Sequence, residues 1–167
     1  MEKDTTLEIL KQAILLERRG KAFYKKIAEQ TEHQAVRDVF EHMANEEQKH
    51  IQTLSEQFKA YHQDKKFAPK TYPDTETSHV ASEVLNQKIK DKISAAGFEA
   101  AAISAAISME EQAIKLYSES ARTLEDPDAK ALYEWLAQWE RGHLQLLFDI
   151  DQSLRENIWF DARFWPF

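Results

Sequence analysis

Apolar positions in the first part of the chain recur at helical spacing. Leu7, Leu10, Ile14, Phe23 and Ile27 share one face of a helix predicted over roughly Thr5–Gln30, in an amphipathic pattern. A polar break at Thr31–His33 leads into a second helix expected to reach about Tyr61. Later, Glu125-Asp126-Pro127-Asp128 reads as a helix start, with Asp126 as the cap, Pro127 at the first helical position and acid in the first turn. That helix is predicted to run to about Glu156.

The pattern occurs twice. Set against itself at an offset of 93 residues with no gap, Leu10–Leu54 pairs with Ile103–Leu147 to give 12 identities in 45 positions. Among them are Ala13/Ala106, Ile14/Ile107, Tyr24/Tyr117, Ala28/Ala121 and Ala44/Ala137, and most other apolar positions pair with apolar ones, such as Phe40/Tyr133 and Met43/Leu136. Two copies make a duplicated helical hairpin rather than a solenoid. The hairpins are placed at about 5–63 and 92–157, within one domain of 1–157. Between them the crossover of about 64–91 holds Pro69 and Pro73 and is too long for a tight turn, with Val80–Gln87 as a candidate short helix. One long connection between helices two and three is what a ferritin-like four-helix bundle requires, so the expected fold is all-α of that kind.

Composition agrees and removes several functions. Only 3 Gly and 4 Pro, with 31% charged residues, favour helices. A net charge of −7 with no basic cluster argues against nucleic-acid binding. No run of about 18 apolar residues is present to span a membrane, and no export signal follows Met1, so the cytoplasm is the expected compartment. The absence of cysteine excludes disulfides, thiol catalysis and cysteine-bound metal.

The chemistry lies in a duplicated set of polar residues. Glu17 is followed thirty residues later by Glu47-Gln48-Lys49-His50, and Glu110 thirty residues later by Glu140-Arg141-Gly142-His143. Glu17 and Glu47 are each fifteen residues from position 32, so at 1.5 Å per residue both lie about 22 Å from the turn, level on antiparallel helices. Glu110 and Glu140 are equally symmetric about Glu125. Within Glu-x-x-His the i and i+3 side chains share a face and can reach one metal ion. Four carboxylates at mid-bundle would repel one another unless cations neutralise them, and two divalent ions would do so. Oxygen-rich ligands with only two histidines suit iron or manganese; zinc would fit but is less expected. Each ion would take one terminal glutamate and one histidine, with Glu47 and Glu140 bridging. The repeat also selects Glu110 over Glu111, which aligns with Arg18, and Glu47 over Glu46, which aligns with Trp139.

Tyr24 and Tyr117 lie seven residues beyond Glu17 and Glu110, two turns along the same face. They would hydrogen-bond the ligand carboxylates or relay electrons, or else serve only as core aromatics. Glu46 is expected either to orient a histidine of the opposite hairpin or to sit in solvent. His33, His42, His62 and His79 fall outside the repeat pattern and read as surface residues. The tail, 158–167, carries Trp159, Phe160, Phe164, Trp165 and Phe167, and should cover its own bundle or meet a second subunit in a homodimer.

Leu16-Glu17-Arg18-Arg19-Gly20-Lys21-Ala22-Phe23-Tyr24 and Ala44-Asn45-Glu46-Glu47-Gln48-Lys49-His50 resemble the rubrerythrin-like branch of the ferritin superfamily. The resemblance covers both hairpins and the crossover. It implies a non-haem di-iron site with Glu17, Glu47, His50, Glu110, Glu140 and His143 as ligands. Full rubrerythrins carry a cysteine-ligated rubredoxin domain and a further glutamate three residues after the third-helix ligand. This chain has no cysteine, and Ala113 stands at that position, so it is closer in kind to short stand-alone proteins of the group. The implied activity is reaction with hydrogen peroxide or O2, the electrons coming from a separate donor protein. The alternatives are a ferroxidase or iron-handling protein, and an interaction protein that uses the aromatic tail and holds metal for structure alone.

Overall fold

A computed structural model of the chain describes residues 4–73 and 97–160. Four helices account for most of them: α1 (Thr5–Gln30), α2 (Gln34–Asp64), α3 (Phe98–Thr123) and α4 (Pro127–Phe160). The fold is the all-α, ferritin-like four-helix bundle that the sequence predicts. Val80–Gln87 and the tail from Asp161 onward lie outside the described residues. None of the described helices is long and apolar enough to cross a membrane.

Local chemistry sets the helix ends. Asp126 accepts hydrogen bonds from the backbone N–H of Asp128 (2.8 Å) and Ala129 (3.1 Å), which starts α4 where the sequence places it. At the first turn the Arg37 guanidinium donates to the carbonyls of Ala28 (3.2 Å) and Thr31 (3.0 Å), satisfying groups that α1 leaves open at its C-terminal end. Two helices outrun their expected ends. The polar residues after Tyr61 are compatible with helix, and α2 continues to Asp64, where Lys65 turns left-handed at φ 54°. No glycine or proline interrupts the chain between Gly142 and Pro166, so α4 continues past Glu156 and takes in Ile158–Phe160, the first residues of the expected tail.

The apolar face of each helix meets the others in two clusters. One joins Tyr24, Ile27, Phe40 and Met43 of the first hairpin to Ile103, Ala106, Leu147 and Ile150 of the second. The other joins Leu10, Ala13 and Leu54 to Tyr117, Tyr133 and Leu136. They are the same cluster built twice: Tyr24, Phe40, Met43, Ile103, Ala106 and Leu147 in one correspond, 93 residues away, to Tyr117, Tyr133, Leu136, Leu10, Ala13 and Leu54 in the other. Each fully buried Tyr, Phe, Leu or Met side chain contributes about 1.5–3 kcal/mol.

The first hairpin's turn shares a cluster with the start of α3, whereas α2 ends at the opposite end of the bundle. Thr31 at that turn donates to Glu99 in the first turn of α3 (2.9 Å). The crossover's first residues are pinned to α2 by Gln57, almost wholly buried, whose amide pairs with the Ala68 N–H and carbonyl at 2.9 Å each. Tyr72 then stacks on Trp135 of α4.

Candidate metal centre

A polar layer lies between the two clusters. Glu17 on α1, Glu47 and His50 on α2, Glu110 on α3 and Glu140 and His143 on α4 are all buried, each at 5% exposure or less. Their ligand atoms form two overlapping sets, Glu17, Glu47, His50, Glu140 and Glu47, Glu110, Glu140, His143, within each of which the atoms lie within 4.8 Å of one another. The level predicted from the turn arithmetic is thus where the helices bring these side chains together. Glu111 is exposed, as its alignment with Arg18 suggests.

The Nδ1 of each imidazole faces three carboxylates. His50 Nδ1 is 2.9 Å from Glu140 Oε1, 3.1 Å from Glu17 Oε2 and 3.3 Å from Glu47 Oε2. His143 Nδ1 is 3.0 Å from Glu140 Oε2, 3.4 Å from Glu110 Oε1 and 3.5 Å from Glu47 Oε1. Glu47 and Glu140 therefore turn one oxygen to each histidine, whereas Glu17 and Glu110 each serve a single one. That division of oxygens is what two bridging and two terminal carboxylates need.

The tyrosines cross between hairpins. The Tyr24 hydroxyl donates to Glu110 Oε1, and its repeat counterpart Tyr117 donates to Glu17 Oε1. Burial and the surrounding carboxylates push both phenols well above their ordinary range, so they stay protonated donors.

Packing so many charges away from water perturbs them strongly. Burial, then the charges of Glu140 and Glu17, pushes Glu47 well above the usual carboxylate range. Burial, then Glu140, raises Glu110 to about 7. Burial also opposes ionisation of Glu140, but the two imidazoles outweigh it and hold that carboxyl below its ordinary range. Both imidazoles are pushed well above theirs by the carboxylates, against the effect of burial.

The donor atoms of this layer could hold cations. The two oxygens of Glu140 and His143 Nδ1 find no hydrogen-bond partner among the described residues, although an opposite atom lies 2.9–3.0 Å away. Buried polar atoms are normally paired, and these converge on shared space. Carboxylate oxygens with one imidazole nitrogen per set are a donor chemistry suited to iron or manganese.

Two features around the layer were not legible in the ligand pattern. Glu46 is buried, not exposed, with Oε2 at 2.7 Å from His143 Nε2. His42 is half-exposed, as expected of a surface residue, yet its Nε2 lies 3.2 Å from Glu46 Oε1. Burial alone would raise the Glu46 carboxyl, but His143 and His42 hold it below its ordinary range. On the other side, the rings of Trp135 and Trp139 stand edge-on to His50. The repeat alignment carried the signal, since it sets Glu46 opposite Trp139 and His42 opposite Trp135. His62 is exposed, His33 is half-buried, and His79 lies outside the described residues.

A cavity of about 10 Å³, roughly the room of one water, reaches the layer between α1 and α3. Leu16, Gly20, Met109 and Ala113 line it beside the glutamates. Gly20 and Ala113 are repeat counterparts, and small side chains at both leave this approach open.

The rubrerythrin family model matches residues 8–147 and 101–162. The chain belongs to the rubrerythrin family. No curated protein and no solved structure matches it significantly. Membership of the rubrerythrin family accords with the bundle and with a buried glutamate and histidine cluster that could hold metal ions.

Proposed function

We propose that this protein is a di-iron oxidoreductase that reacts with hydrogen peroxide or O2 and is re-reduced by a separate electron-donor protein. The observation that carries the reading is the split of Glu47 and Glu140 oxygens between two histidine-centred sets in a buried layer. A family of di-iron oxidoreductases adds weight.

Two iron ions bound there would supply the two electrons that reduction of one peroxide consumes. Glu17 and His50 would hold one ion, Glu110 and His143 the other, and Glu47 and Glu140 both. The chain's own part is to prepare the place. Tyr24 and Tyr117 hold the terminal glutamates by one oxygen each, which limits their rotation. The flanking apolar clusters exclude water from above and below the layer. The small cavity beside Gly20 and Ala113 is the approach to the layer that a small oxidant would use. The chain has no cysteine to ligate an iron donor of its own, which supports a separate electron donor.

That same absence favours a second reading, iron oxidation for iron handling without turnover of another substrate. Stopped-flow mixing of the anaerobically iron-loaded protein with peroxide and with O2 tests both. Bound iron should be oxidised by at least one of them, and repeated cycles with an added reductant distinguish the oxidoreductase from a single ferroxidase event. No oxidation by either oxidant would sink the proposal.

A further inference from the structure

The duplication places unlike side chains behind the two histidines. Glu46 and Trp139 hold the same place in the two copies, as do His42 and Trp135. Behind His143, Glu46 Oε2 is 2.7 Å from Nε2, and the other oxygen of Glu46 is 3.2 Å from His42. Behind His50 there are two indoles, with ring centroids 5.4 Å (Trp135) and 5.6 Å (Trp139) from the imidazole. His50 Nε2 and Trp139 Nε1 are both buried with no hydrogen-bond partner among the described residues. Two imidazoles that turn Nδ1 to the same pair of bridging carboxylates are therefore backed by a carboxylate in one case and by aromatic edges in the other.

The difference has a direct consequence for metal binding. A carboxylate that accepts the Nε2–H fixes the tautomer in which the Nδ1 lone pair is free, and it makes that nitrogen a stronger donor. Loss of such a partner weakens metal affinity by about 10- to 100-fold. His50 has no such acceptor among the described residues, so its Nε2–H faces the two indoles without one. The indoles also offer a cation no compensating charge, whereas Glu46 brings one close to the other position.

We infer that the two metal positions are unequal by construction: the one formed with Glu110 and His143 fills first and holds its ion more tightly, and the one formed with Glu17 and His50 fills second. The inference rests on the di-metal reading of the centre. Glu46 is a positioning residue here, because it acts through His143.

Cobalt(II), a spectroscopically visible stand-in for ferrous ion, provides the test. The metal-free protein is titrated by calorimetry and by visible absorption, and crystals grown with one equivalent are examined by anomalous scattering at the cobalt edge. Two steps at least about 10-fold apart in affinity are expected, with the first ion beside His143. Glu46→Gln should weaken the first step by about 10-fold or more, so that the two steps converge, and should alter the absorption bands of the first equivalent only. Trp139→Glu, which sets a carboxylate behind His50, should strengthen the second step. If that variant does not fold, Glu46→Gln and the one-equivalent crystal decide the matter alone. Equal steps, or a first ion beside His50 or shared evenly, would overturn the inference while leaving the di-metal reading intact. No cobalt binding at all would overturn both.

Discussion

Tyr24 and Tyr117 each reach across the bundle to a buried glutamate of the opposite hairpin, at 1% and 0% exposure. Spacing alone left open whether these rings hold carboxylates or merely fill the core, because a tyrosine two turns from a glutamate satisfies either role. The two roles differ in what the hydroxyl is worth. A core aromatic tolerates Phe, since the ring keeps its packing and no partner is stranded. Here Tyr117→Phe removes a donor from Glu17 Oε1 in a buried layer, and Tyr24→Phe does the same at Glu110. Each should cost the metal-free protein about 1–3 kcal/mol. Urea unfolding checks this: the midpoint should fall with the slope unchanged. A change under about 0.5 kcal/mol in both variants would return the tyrosines to the role of core filler.

At the scale of elements, the parts legible in the sequence were those governed by short-range chemistry. Asp126 and Pro127 mark the start of α4 because capping needs only the next three residues. The apolar period locates α1, and the repeat identifies the two core clusters as one design used twice. Helix ends without a breaker were harder. After Tyr61 and after Glu156 nothing in the local chemistry stops a helix, and the chain continues in both places. Glu46 was ambiguous for another reason: its burial depends on which helix of the other hairpin faces it, and no pattern within α2 encodes that. The capping role of Asp126 yields a separate prediction. Asp126→Ala should destabilise the protein by about 0.5–2 kcal/mol. That is a fall of roughly 1–8 °C in melting temperature for a chain of this size. Because the cap stands fourteen residues from Glu140, metal stoichiometry should not change. Calorimetric melting beside a metal titration checks both halves, and a variant that lost its metal would show that the α3–α4 turn and the polar layer are coupled.

For the whole molecule, the polar layer is the part of the core that holds buried charge. Two apolar clusters stabilise the bundle above and below it, while four carboxylates and two imidazoles occupy the level between them at 5% exposure or less. Without cations, Glu47 and Glu110 are driven toward the protonated form by burial and by their neighbours, and Glu140 depends on the imidazoles to stay ionised. A cluster so arranged in water would disperse, and only the packing of four helices keeps it together. Cations should therefore stabilise the folded chain far more than the unfolded one, which has no preformed site. With free metal at about 100 times its dissociation constant, one occupied position contributes about 2.7 kcal/mol, and a second adds to it. For a chain of this length the first position alone corresponds to a rise of roughly 5–10 °C in melting temperature. Thermal unfolding measured with added ferrous or cobalt ion under anaerobic conditions, and again after a chelator, should show that rise and its reversal. In Glu47→Ala/Glu140→Ala the bridging oxygens are gone, so added metal should leave the transition where it is. A melting temperature in the parent protein that ignored both metal and chelator would mean that the layer is held by its own protons, as a structural feature of the bundle and nothing more.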